Sequence, residues 1–143
     1  MAVRTLLKKM SLVWVIVFAL VSQTSWSMVN TQQAHQIIKQ QYHDLLGDGR
    51  DLVSLYFFGS DLGTSVIGLE RVGDDFLPVR WILIFRGELL LGWYHPVNEF
   101  PKGLSQGKLQ FPKGLKADDV SLYPQPQTEF QLQGNTVRFK PAK

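Results

Sequence analysis

The stretch Val79-Arg80-Trp81-Ile82-Leu83-Ile84-Phe85-Arg86-Gly87-Glu88-Leu89-Leu90-Leu91-Gly92-Trp93-Tyr94-His95 decides the architecture. Two runs of leucine, β-branched and aromatic side chains flank a two-residue loop in which glycine stands first. Glycine in that place suits a type II′ turn, whose backbone twist matches that of antiparallel strands. A hairpin is therefore predicted, and a parallel-sheet enzyme fold is disfavoured. With Gly87 and Glu88 as the loop, Arg86 faces Leu89, and the same register carried outward brings Arg80 opposite His95. One face then holds Trp81, Leu83, Phe85, Leu90, Gly92 and Tyr94. The other holds Ile82, Ile84, Leu91 and Trp93, with Arg80 and His95 at its rim. Both faces are apolar at their centres, so each demands a cover. Gly92, facing Leu83, leaves room for something bulky.

Upstream, Asn30-Thr31-Gln32-Gln33-Ala34 reads as a helix start, with Asn30 as cap and Gln33 reaching back to it. Apolar residues follow at Ala34, Ile37, Ile38, Tyr42, Leu45 and Leu46, which predicts an amphipathic helix over about residues 31–46, stopped by Gly47. This helix is expected to cover the first face of the hairpin. Downstream, Gln133-Gly134-Asn135-Thr136 predicts a second hairpin, with Gly134 and Asn135 as its loop. Phe130, Leu132, Val137 and Phe139 then share its core side, while Glu129, Gln131, Arg138 and Lys140 share its wet side. Further strands are expected at 52–58, 64–72, 109–111 and 120–123. The fold class read from this pattern is α+β: an N-terminal amphipathic helix packed on a bent antiparallel β-sheet. If the second hairpin folds over the second face instead of extending the sheet, a small sandwich or open barrel with one helix results.

Between the hairpins, Phe100-Pro101-Lys102-Gly103-Leu104 recurs as Phe111-Pro112-Lys113-Gly114-Leu115. Proline biases the residue before it towards an extended conformation, and glycine relieves the turn that follows. Each copy is expected to drop a phenylalanine and a leucine onto the body and to raise one lysine on a loop tip. Lys102 and Lys113 therefore become candidate contacts for an anionic partner surface.

The chain opens with Arg4, Lys8 and Lys9 ahead of an apolar run from Leu12 to Val21. Ser25 and Ser27 then supply the small residues, one apart, that a leader cleavage site requires, so residues 1–27 read as a cleaved secretory signal peptide. The run falls short of the about 20 apolar residues needed to span a bilayer, and no stable membrane anchor is expected after cleavage. The mature part, residues 28–143, is expected to be a single α+β domain, exported and therefore periplasmic or secreted. Of the 15 Lys/Arg in the 143-residue chain, the leader takes three and leaves twelve against 12 Asp/Glu. The basic footprint of a nucleic-acid binder is thus missing from the mature part. Charge is instead unevenly spread, acidic over residues 28–99 and basic over 100–143.

Residue chemistry points away from catalysis. The chain has no cysteine, which excludes disulfides, thiolate metal sites, cysteine nucleophiles and lipid acylation. His35 and His43 stand too far apart on a helix to share a metal ion, and His43 beside Asp44 is expected to point away from it. Asp74-Asp75 and Asp118-Asp119 lack the calcium-loop pattern. Gly59-Ser60-Asp61-Leu62-Gly63 imitates the outline of a nucleophile elbow, but strands lie on both sides of it and a β-turn is expected. No cofactor or metal is implied. The surviving constellation is Trp93 and His95 with Arg80 opposite, the residue types that dominate binding hot spots. The reading is an exported, non-enzymatic binding or accessory protein of the cell envelope that contacts an envelope or secreted protein through Arg80, Trp93, His95, Lys102 and Lys113. The alternative is a small hydrolase acting on envelope polysaccharide, which would need two convergent carboxylates.

Overall fold

The computed structural model describes residues 28–117 and 119–143. The expected leader, residues 1–27, and Asp118 of the second acidic pair lie outside the described residues. The described residues are mostly antiparallel β-sheet with one short α-helix, an α+β fold in the broad sense. Among the described residues no helix is long and apolar enough to cross a membrane.

The helix, α1, spans Thr31–Gln41 and so begins some way into the chain rather than at its N-terminus. Its start is the capping box read from the sequence: the Gln33 amide donates to the Asn30 side chain at 2.8 Å, and the Asn30 amide donates to that of Gln33 at 3.1 Å. Its end departs from expectation. Helical φ/ψ is lost at Tyr42, and the remaining residues form a separate 3₁₀ turn, His43–Leu46, closed by Gly47 at φ +71°. Long-range contacts account for the break. The Tyr42 ring packs edge-on to Trp93, and the Arg71 guanidinium takes the carbonyls of Asp44 and Leu45.

Nine strands follow. The larger sheet contains β1 (Leu52–Asp61), β2 (Thr64–Val72), β3 (Pro78–Arg86), β4 (Leu89–His95), β8 (Glu129–Leu132) and β9 (Asn135–Pro141), in the order β1-β2-β3-β4-β9-β8. A smaller sheet joins β5 (Gly103–Ser105), β6 (Lys108–Gln110) and β7 (Val120–Ser121). The second hairpin therefore extends the larger sheet through β9 beside β4. It also sends Phe130, Leu132 and Val137 into the core that holds Ile82, Ile84 and Tyr94 from the second face. Both edge strands of the larger sheet meet the segment that carries the small sheet. Gly59 of β1 lies against Leu104 of β5, and Ala117 bridges Leu132 of β8. Leu109, Val120 and Leu122 of the small sheet's segment complete that core. A separate cluster on the other side holds Ala34, Ile38 and Leu45 with Ile67, Leu69, Leu83 and Phe85.

The β3–β4 hairpin corrects the predicted register. Arg86 faces Leu89 and Phe85 faces Leu90, as the turn requires, and of the two loop residues only Gly87 has positive φ. The register then shifts: Ile84 faces Gly92, Leu83 faces Trp93 and Ile82 faces Tyr94. The extra residue is Leu91, a β-bulge that slips all later pairs by one and exchanges their faces. Trp93 thereby joins the helix-side cluster and Tyr94 becomes core on the other side. Gly92 makes the bulge possible. It sits at φ +151°, and a Cβ there would collide with the Lys140 carbonyl and the Phe139 ring. The room left by this glycine is filled by β9.

The second hairpin also pairs differently: Leu132 faces Asn135, with Gln133 and Gly134 as the loop, both at positive φ. That shift is even, so every side chain keeps its predicted face. The repeated pentapeptides diverge. Gly103 and Leu104 of the first copy enter β5, whereas the second copy makes a turn. Phe100, Leu104 and Phe111 pack on the second-face core, and Lys102 and Lys113 are exposed.

Candidate functional site

Three strands deliver aromatic or cationic residues to the end of α1. β3 supplies Trp81, β4 supplies Trp93 and, at its last position, His95, while β9 supplies Lys140 directly opposite Trp93. With Tyr42, His43 and Asp44 from the end of α1 and the 3₁₀ turn, these residues line a cavity of about 390 Å³.

Its back wall is rigid. The His95 imidazole stacks on Trp81 with centroids 4.5 Å apart and an interplanar angle of 9°, and the Arg71 guanidinium lies 4.8 Å from the same indole. Trp81 is only 6% exposed. His95 Nδ1 lies 3.0 Å from the Arg80 carbonyl oxygen. A carbonyl can only accept, so Nδ1 carries the proton and Nε2 is left as the free ring nitrogen. Trp93 forms the half-buried side wall. Tyr42 meets it edge-on at 6.0 Å, and the Lys140 ammonium lies 5.8 Å from its centroid, a cation–π contact. Among the described residues Lys140 has no carboxylate partner. Asp44, the one carboxylate lining the cavity, lies 3.3 Å from His43 Nε2 and faces solvent. The two exposed side chains meet although adjacent residues of a 3₁₀ turn stand about 120° apart, and the expectation that they point apart is corrected.

The residues singled out in the sequence therefore separate. Trp93 and His95 come together, as expected, but on the opposite face from the one expected, and Arg80 is not with them. Arg80 donates from Nε to Glu70 Oε2 at 2.8 Å and from a terminal nitrogen to the Asn98 carbonyl at 2.7 Å. Those bonds tie β3 to the segment after β4, and the guanidinium lies over Phe100. Lys102 and Lys113 are exposed and do not line the cavity. Sequence reasoning missed Trp81, Tyr42 and Lys140. Tyr42 was legible only as an apolar helix position. Lys140 stood on the predicted wet side of a hairpin whose neighbour in the sheet was not predictable.

The serine-elbow outline is a hairpin turn. Leu62 and Gly63, both at positive φ, join β1 to β2, and Asp61 accepts the Gly107 amide at 2.7 Å. Among the described residues no group of three or more histidines and carboxylates gathers to hold a metal ion. One tyrosine has a displaced pKa: burial holds the Tyr94 hydroxyl well above the ordinary phenol value, and it donates to the Gln127 carbonyl at 2.6 Å, which marks it as core. No family model matches the chain, and no curated protein or solved structure matches it.

Proposed function

We propose that this chain is an exported, non-enzymatic binding or accessory protein of the cell envelope, periplasmic or secreted, which holds an envelope or secreted protein at the cavity beside Trp93. The observation that carries the reading is the convergence of Trp81, Trp93, Tyr42 and His95 on one cavity. Buried or half-buried aromatic residues around a concavity supply large contact area at little conformational cost, the usual make-up of an interaction hot spot. In this reading α1 lies across the first face of the bent sheet and forms the cavity's outer wall. The shared burial of Ala34 and Ile38 with Leu83 and Phe85 supports that arrangement. The exposed loops carrying Lys102 and Lys113 form a second, electrostatic contact. A hydrolase of the two-carboxylate kind is less favoured, since Asp44 alone brings a carboxylate to this cavity.

Affinity capture from envelope extract tests the proposal. Trp93→Ala is expected to lose the proteins that the wild type enriches, and Lys102→Glu with Lys113→Glu to weaken their capture at low salt. An unchanged set of partners from a folded Trp93→Ala protein would remove the cavity from the proposal.

A further inference from the structure

We infer that the cavity beside Trp93 receives a carboxylate carried on a planar apolar group. This inference rests on the reading of that cavity as the binding site and adds the chemistry of what enters it.

Three observations converge. Lys140 presents an ammonium at the cavity wall that makes no ion pair among the described residues, Asp44 at the same cavity being paired with His43, and it lies 5.8 Å from the Trp93 ring centroid. An anion arriving there would gain a charge-assisted hydrogen bond and lose little by displacing so long a contact. On the back wall His95 has its Nδ1 proton committed to the Arg80 carbonyl, so Nε2 is the one ring nitrogen able to meet a ligand. At the rim the Tyr42 hydroxyl donates to the Lys143 main-chain carbonyl oxygen at 3.3 Å. That distance is long for a bond between oxygens and easily exchanged for a shorter one.

The rest of the lining decides what carries the charge. Trp93 and Tyr42 offer half-buried aromatic surface, against which a flat apolar group can stack or pack edge-on. Two sources share this chemistry: a free aromatic acid, or the chain end of a protein whose last residue is aromatic.

Calorimetric titration of the full chain with cinnamate and its uncharged isostere cinnamamide tests the ligand class. Cinnamate is expected to bind at least about tenfold more tightly, the size of a lost charge-assisted bond. Lys140→Gln, on an exposed side chain, is expected to abolish that preference, bringing the cinnamate affinity down to that of cinnamamide. Equal affinities for the two compounds, a preference that survives Lys140→Gln, or no binding of either at millimolar concentration would each overturn the inference. A short peptide ending in a free phenylalanine, compared with its C-terminal amide, distinguishes the source. Tighter binding of the free-ended peptide than of cinnamate identifies a chain end, and the reverse identifies a free acid. If partner capture depends on Trp93 but no carboxylate preference is found, the ligand class fails and the binding reading stands.

Discussion

Tyr94 shows how much one side chain can decide at the residue scale. Adjacent in sequence to Trp93, it is fully buried, with its ring against Phe130 and Phe139 and its hydroxyl on the Gln127 carbonyl. Replacing it with phenylalanine takes this donor from the half-buried Gln127 carbonyl, and Tyr94→Phe is expected to destabilise the fold by about 1–2 kcal/mol in urea denaturation. Its titration has a defined sign. The buried neutral phenol resists ionisation, whereas in the unfolded chain it ionises near its ordinary value of about 10. Its contribution to stability is therefore constant below that pH and falls as pH rises above it. Spectrophotometric titration should show one tyrosine that ionises only on alkaline unfolding, and Tyr94→Phe should remove it. That the neighbours Trp93 and Tyr94 would lie on opposite faces of the hairpin was legible from strand alternation. Which face each would take was not, because the answer turns on a single inserted residue.

That insertion belongs to the element scale. The turn at Gly87-Glu88 set the first two pairs of the hairpin correctly, since turn chemistry acts over a few residues. The bulge at Leu91 lies beyond its reach, and its signal was Gly92, read from the sequence as space for a bulky neighbour. The structure fills that space with the backbone of β9 and the Phe139 ring. Gly92→Ala is expected to cost about 1–3 kcal/mol from the positive φ alone, and more from the collision with β9. Because the bulge aims Trp93, the same variant should also shift the tryptophan fluorescence. A thermal melt together with an emission spectrum checks both, and wild-type values in each would show that the bulge does not depend on glycine. The second hairpin provides the control: its register moved by two, and its faces survived. The repeated pentapeptides make the complementary point. Identical residues become part of β5 in one copy and a turn in the other: Leu104 meets Gly59 of β1, whereas Phe111 of the second copy packs on Phe130 of β8.

At the scale of the whole molecule, the cluster that holds Tyr94 and the cluster that holds Trp93 are separate, and the cavity adjoins the second. The separation explains why Arg80 serves as a tie between segments rather than a site residue. Paired to Glu70 across β2 and β3, it faces the segment after β4, away from the cavity. Residues 1–27 bear on where the chain works. If the leader is removed as proposed, mass spectrometry of protein recovered from the periplasm or medium should find Met28 as the first residue. A cytoplasmic protein beginning at Met1 would overturn both the leader and the proposed compartment.

The sequence by itself determined the capping box of the helix, the antiparallel character of both hairpins, most strand positions and the parity of the second hairpin. All of these depend on residues within a few positions of one another. Only the tertiary structure decided that the helix ends at Tyr42, that β9 pairs with β4, and that Trp93 rather than Tyr94 faces the helix. Those outcomes rest on contacts between segments distant along the chain, where the space beside one glycine outweighs the preference of a turn. The cavity is therefore a product of packing, assembled from residues whose types the sequence displayed and whose neighbours it did not.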